Sequence, residues 1–163
     1  GQGRKEAEMP IRVEGEITTR TGDPVLVKEF AIPGIGAGVA YTAGDAFGGR
    51  FEIDVLEYGT ITNVAFLDID DEGINKDMVL FNAPFIATAD NGPIALLDYE
   101  VAASCIYVIQ ISTWVDLLDN RVGIVEPALY FHALQRKLWG QFVTRGADNI
   151  AAAAMPIVRI TIR

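Results

Sequence analysis

Tyr41-Thr-Ala-Gly-Asp45-Ala-Phe-Gly48-Gly49-Arg50 opens a run that continues through Phe51-Glu-Ile-Asp-Val55, Ile61-Thr-Asn-Val-Ala-Phe-Leu-Asp68, Asp68-Ile-Asp70-Asp71-Glu72-Gly73, Met78-Val-Leu-Phe81-Asn82-Ala-Pro84 and Asp90-Asn91-Gly92-Pro93. Short alternating or wholly apolar segments are separated by clusters of Gly, Asn, Asp and Pro. That punctuation builds strands and turns rather than helices. Phe51, Ile53 and Val55 alternate with Glu52 and Asp54, and Glu57-Tyr58-Gly59-Thr60 offers a hairpin turn to the next strand. Ile61 to Asp68 is apolar on much of both faces, which places it centrally, between two layers.

The pattern extends downstream. Asp98 to Ala103 reads as one or two helical turns with Asp98 as the cap, and Cys105–Ile111 as a strand. A short strand is expected at Val122–Val125. A hairpin is expected from Leu129–Leu134 and Leu138–Thr144 about Gln135-Arg136-Lys137, and a last strand at Pro156–Ile162. The total is about nine or ten strands and at most one short helix, an all-β chain with a β-sandwich or jelly-roll-like body.

Upstream, Ile11, Val13 and Ile17 alternate with Arg12, Glu14 and Glu16, and Thr21-Gly22-Asp23-Pro24 turns into Val25–Ile32. Two strands alone are marginal in water, so this hairpin needs a body or a partner to pack on. Pro33-Gly34-Ile-Gly36-Ala-Gly38 then reads as a flexible linker, its glycine spacing being wrong for a dinucleotide fingerprint. The domain reading is an arm over residues 1–40 and a body over 41–163.

Composition narrows the function classes. The chain has 163 residues, half of them hydrophobic, enough for one domain with its own core. Its net charge is −9, and residues 41–100 hold 12 acidic side chains against Arg50 and Lys76. Nucleic-acid binding needs the opposite sign. An acidic solvent face is the expectation for that region. No apolar run spans a bilayer, and the polar opening residues lack a signal-peptide pattern. A single cysteine excludes an intramolecular disulfide, and with a single histidine it cannot make a cysteine–histidine zinc shell.

Candidate chemistry is sparse. His132 lies mid-strand with nothing near it in sequence to orient it, Cys105 lies in an apolar run, and neither Ser104 nor Ser112 sits in a nucleophile elbow. Asp68, Asp70, Glu72 and Gly73 match positions 1, 3, 5 and 6 of a calcium loop, but position 12 is Val79 rather than Glu. Asp68, Asp70 and Glu72 are thus a weak metal candidate beside the simpler reading of an acidic turn. No enzyme activity and no cofactor are expected. Trp114, Trp139, Tyr58 and Tyr107 keep open a carbohydrate- or ligand-binding sandwich on a virion or cell surface, which requires those aromatics in an exposed groove.

The succession Tyr41–Gly49, Ile61–Asp68, Met78–Pro84, Asp90-Asn91 and Leu138–Gly146 resembles small virion structural proteins of tailed bacteriophages, over roughly residues 40–163. The resemblance implies a capsid decoration (cement) protein on the virion surface, made in the host cytoplasm. It implies the major capsid protein as partner and a homo-oligomer, most often a trimer. The N-terminal hairpin lies outside the resembling stretch, and its alternating residues Ile11, Val13, Ile17, Val25, Val27 and Phe30 are expected to bind such a partner by β-augmentation. Tyr130, Phe131, Trp139 and Phe142 are expected at the oligomer interface. Neither nucleic acid nor membrane is expected as a partner.

Overall fold

Alternation of apolar and polar residues produces ten strands and one short helix over residues 25–163, the part of the chain that the structure, a computed structural model, describes. In chain order they are β1 (Leu26–Ala31), β2 (Ala46–Asp54), β3 (Tyr58–Asp68), β4 (Lys76–Phe81), α1 (Asp98–Ser104), β5 (Cys105–Ile111), β6 (Trp114–Asp116), β7 (Arg121–Val125), β8 (Leu129–His132), β9 (Lys137–Thr144) and β10 (Ile157–Ile162). A 3-10 turn, Ala152–Ala154, precedes β10. The expected strand over residues 9–20, with Ile11, Val13 and Ile17, lies outside the described residues.

All strand pairs are antiparallel, in two sheets. One runs β1-β10-β3-β7-β6, with β8 also on β3; the other runs β2-β9-β4-β5. Thr60 exchanges both backbone bonds with Arg163, so β8 must lie on the opposite edge of β3, end to end with β7. Counting β7 and β8 as one interrupted strand, the two sheet orders are those of a jelly roll, with β6 added at one edge. The fold is an all-β sandwich, as the periodicity predicts.

The core lies between the sheets. Ile61, Val64 and Phe66 of β3, Val158, Ile160 and Ile162 of β10, and Phe131 of β8 meet Phe51 of β2, Met78 and Leu80 of β4, Ile109 and Ile111 of β5, and Phe142 of β9. Phe66 meets Phe142 edge-on at 5.6 Å across the layers. Each such side chain contributes about 1.5–3 kcal/mol on burial, and β3 is central, as its two apolar faces predict.

Several local expectations are corrected. Glu57–Thr60 and Gln135–Lys137 do not close hairpins: β2 and β3 belong to different sheets, as do β8 and β9, and Tyr58–Thr60 already lie in β3, paired with β8, so the chain crosses the sandwich over residues 55–57 and again over residues 133–136. Gly48-Gly49 is not a turn between strands but sits inside β2, where the register with β9 slips between Phe47 and Phe51. Gly48 has φ +81°, and a Cβ there would stand 2.5 Å from Ile32 and 2.7 Å from the Pro33 carbonyl, so only glycine fits this bulge. The helix forms where expected, but its cap position is Leu97 and Asp98 is its first residue.

The boundary between arm and body also moves. β1 is the edge strand of the six-stranded sheet, in register with β10 from Leu26↔Ile162 to Ala31↔Ile157. Residues 33–40 are not a free linker. Gly49 N–H donates to Pro33 O (2.6 Å), Gly38 N–H to Ile150 O (2.8 Å), and Ile35 and Val39 pack on the core. Backbone pairing and apolar burial thus place residues 25–40 in the body.

Candidate partner interface

The two sheets differ on their outer faces. On the four-stranded sheet, Val79 and Phe81 of β4 and Trp139 and Val143 of β9 form a second small core with Phe85, Ala87, Ile94 and Leu96 from the connection over residues 82–97. Phe81 and Phe85 stack at 3.9 Å. Polar side chains clamp this cover. Gln141, fully buried, donates to Gly48 O and Thr88 O and accepts from Thr88 N–H. Asp90 accepts from Gly48 N–H (2.7 Å), Gly36 N–H (3.2 Å) and the Tyr41 hydroxyl (2.7 Å). Burial, reinforced by the bond to Asp90, pushes the Tyr41 phenol far above its ordinary value.

The six-stranded sheet has no such cover among the described residues. Its register aligns Ala31, Ile157, Leu67, Val122 and Val115 in one row across β1, β10, β3, β7 and β6. The row beside it reads Glu29, Arg159, Ala65, Ile124. In these two rows the charges are Glu29 and Arg159, and they pair with each other at 3.3 Å. Val27, Val115 and Ile124 are exposed at 52%, 51% and 45%. A chain of net charge −9 therefore presents, among the described residues, an apolar band across five strands.

The residues singled out from sequence divide sharply. Phe131, Trp139 and Phe142 are buried within their own subunit, so they have no area to offer an oligomer contact; Tyr130 alone of that set is exposed. Phe30 points inward and stacks on Phe51 at 4.7 Å, which removes it from the partner-binding set, whereas Val25 and Val27 are exposed. Ile11, Val13 and Ile17 lie outside the described residues.

The aromatics proposed for a sugar site do not converge. Trp139 is buried in the outer core, its Nε1 donating to Glu52 (3.1 Å). Trp114 meets Phe66 edge-on at 5.7 Å and lies over Gly123, where a Cβ would stand 3.0 Å from its ring. The Tyr107 hydroxyl donates to Tyr130 O (2.5 Å), and Tyr58 stacks on His132 at 4.4 Å. No pocket is present among the described residues.

The acidic turn is engaged by its own protein. Asp68 accepts from Gly73 N–H (2.6 Å), Asp71 pairs with Arg121 (2.8 Å), and Glu72 accepts from Asn149 N–H (3.0 Å). No group of three potential ligand side chains converges among the described residues. His132, which nothing nearby in sequence orients, bonds Glu57 at 3.1 Å across 75 positions of chain, a pairing with no local sequence signal.

No protein-family model matches the chain, and no curated protein matches it. Among solved structures it is similar to one titled "nora virus structure", at 13% identity over 85% of this chain and 53% of that chain, with a TM-score of 0.27. The chain spans about half the length of that structure, and a likeness of this degree carries no argument about function.

Proposed function

We propose that this chain is a structural protein of a virus particle, a decoration (cement) protein that binds the outside of a capsid lattice through the bare outer face of its six-stranded sheet. The observation that carries the reading is the apolar row Ala31–Ile157–Leu67–Val122–Val115. An apolar sheet face of this breadth, on a protein otherwise strongly acidic, suits a broad protein surface better than a small ligand. The outer edge of β1 continues the same surface, and the alternating Ile11, Val13 and Ile17 upstream of it supply a second element of contact by strand addition. In this reading the protein assembles as a trimer, with the exposed Tyr130 at the subunit joint and the acidic turns facing solvent.

The test is co-sedimentation with capsid particles assembled without this protein. Val115→Asp combined with Val122→Asp is expected to abolish binding while the thermal transition stays in place. Removal of residues 1–24 is expected to weaken binding and leave the body folded; a cut at residue 32 would also remove β1 and is uninformative. Wild-type occupancy retained by the double variant would sink the reading.

A further inference from the structure

Lys76 and Asp148 form an ion pair sealed inside the sandwich. Lys76 opens β4 with its side chain pointing inward. Its Nζ lies 4.7 Å from the Phe47 ring centroid and 5.5 Å from that of Phe66, and its side chain is 2% exposed. Asp148, in the loop between β9 and β10, is 1% exposed at its side chain, and its Oδ1 lies 3.1 Å from that Nζ. The loop is held by the segment over residues 38–41, since Tyr41 N–H donates to Asp148 O (2.9 Å) and Gly38 N–H to Ile150 O (2.8 Å). The surroundings complete a reaction geometry rather than a mere pair. Lys76 Nζ donates to Ile74 O (2.7 Å), the Thr144 hydroxyl donates to Asp148 Oδ2, and Glu72 hydrogen-bonds the Asp148 carboxyl.

We propose that Lys76 and Asp148 condense spontaneously into an intramolecular amide (isopeptide) bond, with Thr144 and Glu72 as the groups that assist it. Two isolated charges are costly in an apolar interior, and passing one proton from the ammonium to the carboxylate along their hydrogen bond removes both. The neutral amine keeps one N–H on Ile74 O and turns its lone pair toward Asp148 Cγ. As the C–N bond forms, the carbonyl electron pair moves to the oxygen held by the Thr144 hydroxyl. Collapse re-forms the C=O and breaks the C–OH bond. Glu72 gives the departing hydroxyl a proton and recovers one from the nitrogen. The balance is one amine and one carboxylic acid giving one amide and one water, with no oxidant, reductant or outside reagent.

The electrostatics run in the same direction. Burial pulls the Lys76 ammonium below the ordinary lysine value despite the opposing pull of Asp148. Burial, the negative charge of Asp148 and the hydrogen bond to it hold the Glu72 carboxyl above the ordinary glutamate range, which favours its proton-donating form. A desolvated lysine is the usual route to an activated amine nucleophile. Held at contact distance in a rigid core, amine and carboxyl need no productive encounter, which removes the entropic part of the barrier to forming an amide.

The experiment is the intact mass of the purified full chain under denaturing conditions, followed by peptide mapping. The expected result is a mass lower than that of the sequence by one water, with a branched peptide joining Lys76 to Asp148. Lys76→Ala and Asp148→Ala are expected at full mass. Asp148→Asn is expected to react with loss of ammonia instead, and Glu72→Gln to accumulate unreacted chain. A wild-type chain at full mass after prolonged incubation overturns the proposal, as does a water loss that maps to other residues.

Discussion

The outer faces of the two sheets are made from similar side chains and meet different fates. Over the four-stranded sheet, Phe81, Trp139 and Val143 are covered by residues 82–97, and the cover is held by Asp90 and Gln141. Over the six-stranded sheet, Ile157, Leu67, Val122 and Val115 have no covering segment among the described residues. One face is therefore part of the stability of the subunit, and the other is, among the described residues, spare apolar surface. Hydrophobicity alone does not distinguish a core from an interface; the connection that crosses it does.

Four substitutions test that difference. Trp139→Ala, on the covered face, is expected to cost about 3–5 kcal/mol in urea unfolding, because a large buried side chain leaves a cavity. A cost near zero would mean that the cover is not part of the cooperative unit. Asp90→Ala is expected to cost about 1–3 kcal/mol, since the buried Gly48 N–H and Tyr41 hydroxyl lose their acceptor. Hydrogen exchange over residues 82–97 should rise with it. Val122→Asp, on the bare face, is expected to shift stability by no more than about 0.5 kcal/mol while weakening particle binding at least tenfold. A large loss of stability there would show that something in the free protein already covers the face.

The smallest effect lies at the rim of the covered face. Hydrogen bonds from Lys137 hold the exposed Glu52 and Asp54 carboxyls below their ordinary values. Depressed carboxyl values contribute stability above the ordinary carboxylate range and lose it as pH falls through the folded values. Lys137→Ala should return both carboxyls to the ordinary range in an NMR titration and barely move the unfolding midpoint.

Sequence reasoning reaches strands more easily than their partners. The alternation in Phe51–Val55 and the doubly apolar Ile61–Asp68 are local signals, and both mark real strands. Gln135–Lys137 marks a real change of direction and Glu57–Thr60 lies just past one, with Tyr58–Thr60 already in β3, but turn chemistry does not say which sheet receives the chain. β6, three residues long, has too little pattern to be seen. The spare face was hidden for another reason. Ala31, Ile157, Leu67, Val122 and Val115 are scattered over the chain, and only the register aligns them. The aromatic residues assigned to an oligomer contact, Phe131, Trp139 and Phe142, are conspicuous in sequence because they are large, and large apolar residues are drawn first into the subunit's own core.

The place of β10 in the six-stranded sheet also bears on how the molecule is made. β1 reaches β3 only through β10, which joins Leu26–Ala31 on one side to Ile61–Leu67 on the other. Until Ile157–Ile162 has left the ribosome, two strand edges wait apart with their amides unpaired, and the earliest-made strand of the body is closed by the last. Pairings this distant along the chain make for slow folding. Such a sheet completes only once β10 is available, leaving an interval in which a nascent chain is open to strand exchange with its neighbours.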